Sequence, residues 1–204
     1  MNRTMTSIVD KKTGEPVEAT LIQGVTKDMV IATELQWQPV RTAAAQRLHA
    51  KGEPIPEHWR WDWIKKSQAP DFSLLASECF GIECENEIQG LMLVNTSKYA
   101  ARLDPDKNKP LIYVDYLESA PTNLKVIATE PRFGAVGVRL FEAAVQFSKA
   151  EGFGGRTGLH ALPQAEDFYE NVCQMVRVEQ DKNPPVTNLW WFELTAAASQ
   201  AFLS

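Results

Sequence analysis

Cysteine and histidine are scarce in this chain, three of each. Cys79, Cys84 and Cys173 make an odd count without a CxxC pair, and His49, His58 and His160 are scattered. That spacing supports neither a metal-ligand set nor a disulfide framework, so no metal is expected and a reducing cytoplasm is the expected compartment. Long hydrophobic runs are missing too. No segment approaches the ~20 apolar residues of a membrane span. The opening stretch, MNRTMTSIVDKKTGE, has no apolar run of signal-peptide length. Positive charge is not in excess, since the formal net charge is -5. A generally basic surface is therefore absent, and a nucleic-acid partner is not expected. Neither GxGxxG nor GxxxxGK[ST] occurs, which leaves dinucleotide and nucleoside-triphosphate sites without support.

What is present is an ordinary globular composition, 44% hydrophobic and 23% charged over 204 residues. That length is enough for one domain with its own core. Residues 5–21 read as strand, turn and strand, with Gly14 free for positive φ. Residues 39–50, PVRTAAAQRLHA, read as a helix stopped by Gly52. PEHWRWDWIKK reads as a short helix with Trp59 and Trp63 on one face and Trp61 between them. Those aromatics either pin the helix to the core or form a wall beside a substrate. FGIECENEIQGLMLV is a hairpin about Glu85-Asn86, and LIYVDYL (111–117) is the strongest strand. Val136, Leu140, Ala144 and Phe147 form the apolar stripe of a helix over 136–150, with Gly152 as its cap. RTGLHAL (156–162) is the next strand, AEDFYENV a short helix, and QMVRVEQ and NLWWFELT two final strands. The organisation is one α+β domain over 1–204, without internal repeats.

The segment RFGAVGVRLFEAAVQFSKAEGF places Gly134 and Gly137 ahead of that long helix. A helix start exposes unpaired N–H groups and partial positive charge, where a phosphate can approach. The order of elements sharpens this. Leu117, Ser119 and Pro121 stand as an LxVxP strand end. Arg132-Phe133-Gly134-Ala135-Val136-Gly137 stands as [QR]xxGx[GA], and Ala165 to Tyr169 as AxxxY. Over residues 111–175 the sequence resembles the GNAT superfamily of N-acetyltransferases. It departs in three places: Ala135 replaces a glycine, residues 122–131 are an insertion, and Leu162 replaces an asparagine.

The resemblance implies a mixed, mostly antiparallel sheet with a central splayed parallel pair, 111–118 and 156–162, and flanking helices. It implies acetyl-CoA as co-substrate in a core over 111–175, and a primary amine, on a small molecule or peptide, as acceptor. The variable part, 1–70, lies on the acceptor side. The backbone of Leu117, Glu118 and Ser119 pairs with pantetheine, and the N–H groups of Phe133, Gly134, Ala135, Val136, Gly137 and Val138 hold the pyrophosphate. Arg132 pairs with a phosphate oxygen or is a surface charge. Tyr169 is the acid for the leaving thiolate or a core tyrosine. Glu118 is the base, with Asp115 and His160 as alternatives, or it is a solvated strand-end glutamate. Residues 122–131 form a lid over the cleft or a loop with Val126 and Ile127 tucked inward. The competing function is a non-catalytic GNAT-like module that senses acyl-CoA or grips a partner. A toxin acting on aminoacyl-tRNA is a third reading, disfavoured by the acidity. A homodimer stays open.

Overall fold

The computed structural model describes all 204 residues, apart from the side chain of Glu57. Nine strands lie in the order β6-β1-β2-β3-β4-β5-β7-β9-β8. They are β1 (Asn2–Asp10), β2 (Pro16–Gln23), β3 (Ser77–Cys84), β4 (Glu87–Asn95), β5 (Ile112–Ser119), β6 (Phe133–Gly134), β7 (Thr157–Ala161), β8 (Val176–Gln180) and β9 (Trp190–Leu194). The helices are α1 (Lys27–Lys51), α2 (Trp63–Gln68), α3 (Val136–Ala150) and α4 (Ala196–Phe202). This is the mixed α+β architecture expected, mostly antiparallel with one parallel pair. Among the described residues no helix is long and apolar enough to cross a membrane. Met1–Met92 with Leu117–Leu140 form one compact unit, and Leu93–Tyr116 with Phe141–Ser204 a second.

In the first unit β1 and β2 pair from Asn2↔Gln23 to Val9↔Pro16. Asp10 closes their turn by accepting the Lys12 N–H at 2.7 Å. Glu85 and Asn86 both take positive φ, 53° and 62°, the pairing that suits a two-residue hairpin between twisted strands. Helix α1 begins at Lys27, well before Pro39 and earlier than its sequence suggested. Thr26 caps it by accepting the Met29 N–H at 3.3 Å. Its buried face is Val30, Thr33, Glu34, Trp37, Arg41, Ala44, Ala45 and Leu48. Two charged residues interrupt that face, and a proline sits in mid-helix, so the apolar period was hidden. The tryptophan segment is also corrected. It is a 3-10 turn over Glu57–Arg60, a break, and then α2 capped by Asp62. Trp63 alone of the three is fully buried.

Gly90 decides where α3 begins its packing. A Cβ there would stand 2.6 Å from Val136 Cγ1 and 2.9 Å from Leu140 Cδ1. Only glycine lets the first turn of α3 lie this close to β4. In the insertion, Ile127 is buried and its carbonyl accepts from Arg47, while Val126 is 45% exposed. One apolar residue is tucked inward, not both.

In the second unit β5 and β7 run parallel, paired from Ile112↔Thr157 to Val114↔Leu159. That pairing ends there, although β5 continues to Ser119. β9 pairs antiparallel with both β7 and β8. Ala101, Leu111, Tyr113 and Trp191 make a core cluster. The indole of Trp191 lies where a Gly158 Cβ would be, at 2.5 Å, so β7 admits no side chain at that position. Helix α4, absent from the sequence reading, is capped by Thr195 and tied through its Ala196 N–H to the buried Asp106. The apolar stripe of α3 is wider than read: Phe141 and Val145 are buried, while Phe147 is half-buried.

Candidate active site

The loop before α3 is fastened from several sides within the first unit. Arg132 donates its N–H to the Thr122 carbonyl at 3.1 Å, and its own carbonyl accepts from the Lys11 N–H at 3.0 Å. Its guanidinium pairs with Glu85 and Glu87 of the β3–β4 hairpin, so it lies with carboxylates rather than open to a phosphate. Phe133 is buried, and its N–H is donated to Asn123 Oδ1 at 3.0 Å. It therefore leaves the set of pyrophosphate donors, a correction to the sequence reading. Gly134 is held in register opposite Val9. Ala135 has φ 64°, a left-handed turn that favours glycine. The first bond into the helix runs from the Arg139 N–H to the Ala135 carbonyl at 3.0 Å. The N–H groups of Val136, Gly137 and Val138 precede it and have no partner along the helix itself. They are the part of the expected cradle that the geometry fits.

Asn123 belongs to the insertion, and the sequence reading missed it. Its Nδ2 donates to Gln89 Oε1 at 3.1 Å while its Oδ1 takes the Phe133 N–H. Both amide side chains are buried. The insertion thus carries the side chain that orders the loop ahead of α3.

At the carboxyl end of β5, Leu117 and Ser119 are half-buried, and Glu118 between them is 4% exposed. The solvated-glutamate reading is therefore wrong. Glu118 Oε1 accepts from Arg41 Nη1 at 2.7 Å, and Oε2 accepts from Trp63 Nε1 at 2.7 Å. Arg41 Nη2 donates to Glu34 Oε1, and Glu34 Oε2 accepts the Trp63 backbone N–H at 3.3 Å. These bonds close a ring through Glu118, Arg41, Glu34 and Trp63. Burial pushes the Glu118 carboxyl up to about 7, against the pull of Arg41 and the indole N–H. Burial also lowers Lys66 to about 8, although Glu118 draws it back up. Glu34 and Arg41 went unnoticed because their stretch of α1 straddles the misread helix start. Their seven-residue spacing, two turns apart on one face, was the available signal.

In the second unit Tyr169 is buried in a π-turn over Phe168–Val172, with the rings of Phe141, Phe168 and Phe192 around it. Burial raises its phenol well above the ordinary value, so it is a fully protonated donor. His160 Nε2 meets Asp181 Oδ2 at 2.5 Å, and its Nδ1 meets the Tyr113 hydroxyl at 2.9 Å. With Asp181 ionised, Nε2 carries the proton and Nδ1 accepts from the phenol. Both nitrogens are engaged, which sets His160 aside as a base. Asp115 forms an ion pair with Lys98. Among the described residues no cluster of His, Cys, Asp or Glu is arranged to hold a metal ion.

No family model and no curated protein matches this sequence. Solved structures do match. One from Desulfovibrio desulfuricans, described as a GNAT-family acetyltransferase, is 10% identical over 87% of this chain and 99% of its own, with a TM-score of 0.53. The chain has the GNAT fold. A bacterial toxin is similar at 14% identity, covering 90% of this chain and 94% of its own, with a TM-score of 0.55. An acetyltransferase from Thermus thermophilus is also similar, at 14% identity over 85% and 96% of the two chains and a TM-score of 0.49. At such identities a likeness shows the fold alone and leaves the chemistry to the residues.

Proposed function

We propose that the protein is an acetyl-CoA-dependent N-acetyltransferase acting on a primary amine. The observation that carries this is the left-handed turn at Ala135 opening α3, whose first N–H groups belong to Val136, Gly137 and Val138. A pyrophosphate suits that start, where N–H groups and the helix dipole converge and Gly137 adds no bulk. The backbone of Leu117, Glu118 and Ser119 would hold the pantetheine arm. Bound acetyl-CoA would supply the thioester carbonyl. Glu118 takes one proton from the acceptor's ammonium group, which leaves the nitrogen lone pair for the acyl carbon. The C–N bond forms as the C–S bond breaks, Tyr169 supplies the proton that the thiolate needs, and the second proton the nitrogen sheds on becoming an amide returns to the phenol through solvent.

One observation favours a non-catalytic acyl-CoA-binding module instead: both Glu118 oxygens already hold hydrogen bonds. The two readings part on turnover. Thermal melting with CoA, followed by mass spectrometry of an amine panel, tests both. The enzyme reading expects CoA to stabilise the fold by roughly 2.7 kcal/mol at a hundredfold excess over Kd. Gly137→Glu abolishes this by setting bulk and negative charge against the pyrophosphate. Tyr169→Phe keeps the affinity and lowers turnover by about 10²- to 10⁴-fold. No thermal shift with millimolar CoA refutes both readings, and a shift without any acetylated amine leaves the binding module.

A further inference from the structure

We infer that Arg41, Glu34 and Trp63 are positioning residues that orient the carboxylate of Glu118, the base of the proposed reaction. The inference rests on the acetyltransferase reading and adds to it a support built from the variable N-terminal part of the chain. The hydrogen-bonded ring has no open end. β5 provides Glu118, α1 provides Glu34 and Arg41, and α2 provides Trp63 through both its indole and its backbone N–H. All four residues are buried, with Glu34 at 3% and Arg41 at 2% exposure.

Stability gives no reason for such an arrangement. The other members of the α1 face are largely apolar: Val30, Trp37, Ala44, Ala45 and Leu48. A buried ion pair replaced by packed apolar groups is often neutral or stabilising, because desolvation offsets the Coulombic attraction. Here two carboxylates share one guanidinium, which adds like-charge repulsion to the desolvation. A hydrophobic contact would join α1 to β5 more simply. What the ring adds is direction. Arg41 grips one oxygen of Glu118 and the rigid indole grips the other, so the carboxylate plane is set. Each oxygen keeps a second lone pair able to accept a proton.

The ring also sets the charge of the base. The groups facing it are Arg41 and Glu34 from α1 and Lys66 from α2, with Asp62 beside Lys66 and His58 facing Arg41. Arg41 favours the ionised carboxyl, whereas Glu34 opposes it. Removing one or the other therefore moves the Glu118 titration in opposite directions. A carboxyl in a purely structural ring would shift in the same way, so the deciding readout is whether the kcat profile follows the titration.

The test is a carbon-13 NMR titration of the Glu118 carboxyl in the full chain, assigned with Glu118→Gln, alongside the pH profile of kcat. In Arg41→Met the titration moves to higher pH by roughly one to three units, the usual effect of an opposite charge at this range. Arg41→Lys recovers part of that shift. Trp63→Phe moves it the same way by less. Glu34→Gln, nearly isosteric, moves it to lower pH. The acid limb of kcat follows each shift, while acetyl-CoA affinity stays within about twofold of the parent, since the CoA backbone contacts are untouched. If Arg41→Met does not fold, Trp63→Phe and Glu34→Gln decide alone. Folded variants in which Glu118 titrates as in the parent, or in which its titration moves but the acid limb of kcat does not, overturn the inference. Absence of acetylated amine in the parent instead sinks the acetyltransferase reading, and the NMR titration distinguishes the two failures.

Discussion

Ala135 is the residue where an L side chain occupies a backbone geometry that favours glycine. Its φ of 64° places an L side chain in the left-handed region. That conformation costs a non-glycine residue roughly 1–2 kcal/mol, because Cβ crowds the following carbonyl. The neighbouring Gly134 does not relieve it, being held opposite Val9 in β6. Ala135→Gly removes the strain but gives the unfolded chain more freedom, which returns about 0.4–1 kcal/mol. The expected net effect is a stabilisation of about 0.5–1 kcal/mol, read as a higher denaturant midpoint at unchanged slope. An unaltered midpoint would mean the strain is no larger than the ~0.4–1 kcal/mol that glycine's freedom costs, and a lower one that the turn holds none.

At the scale of elements, legibility followed the hydrophobic pattern. Helix α3 was readable at both ends because Val136, Leu140 and Ala144 face the interior without interruption. Helix α1 was readable only from Pro39 onward, because Glu34 and Arg41 occupy positions where apolar residues signal a buried face. The insertion 122–131 was legible as an insertion, but its role was not. Asn123 looks like any polar loop residue until the fold encloses it between Gln89 and Phe133. Asn123→Ala leaves a buried N–H and a buried amide oxygen without their partner, at about 1–3 kcal/mol for each unsatisfied group. The expected result is a marked loss of stability in chemical denaturation, with weaker binding of CoA by the surviving fold. Equal stability would show that the loop before α3 is held by its other ties, from Thr122 and Lys11.

Across the whole molecule each compact unit carries its own buried polar network, and the two respond to acid with opposite sign. In the second unit burial holds the His160 imidazole below its usual value of 6.5, although Asp181 pulls it upward. Its contribution is fully present above about pH 6.5 and is lost as pH falls through the lower folded value. Glu118 is raised to about 7, so the folded state gains relative stability from it as pH falls from there toward the ordinary 4.5. The slope of melting temperature against pH is therefore a sum of opposed terms. His160→Gln should remove one of them, making the variant less acid-sensitive than the parent below about pH 6.5. Parallel melting curves for the two proteins in that range would refute the role given to His160. What the sequence by itself determined were the features written in local chemistry: period, turn residues, the glycine-bearing helix start and the order of the longer strands and helices between them. The hairpin at Glu85-Asn86 and the boundaries of α3 needed nothing more. Only the tertiary structure decided which polar groups meet. Glu34, Arg41 and Trp63 lie far from Glu118 along the chain, and charged side chains carry no periodic signal of their partners. Their pairing exists only because burial removes water and leaves each group no other hydrogen-bonding choice.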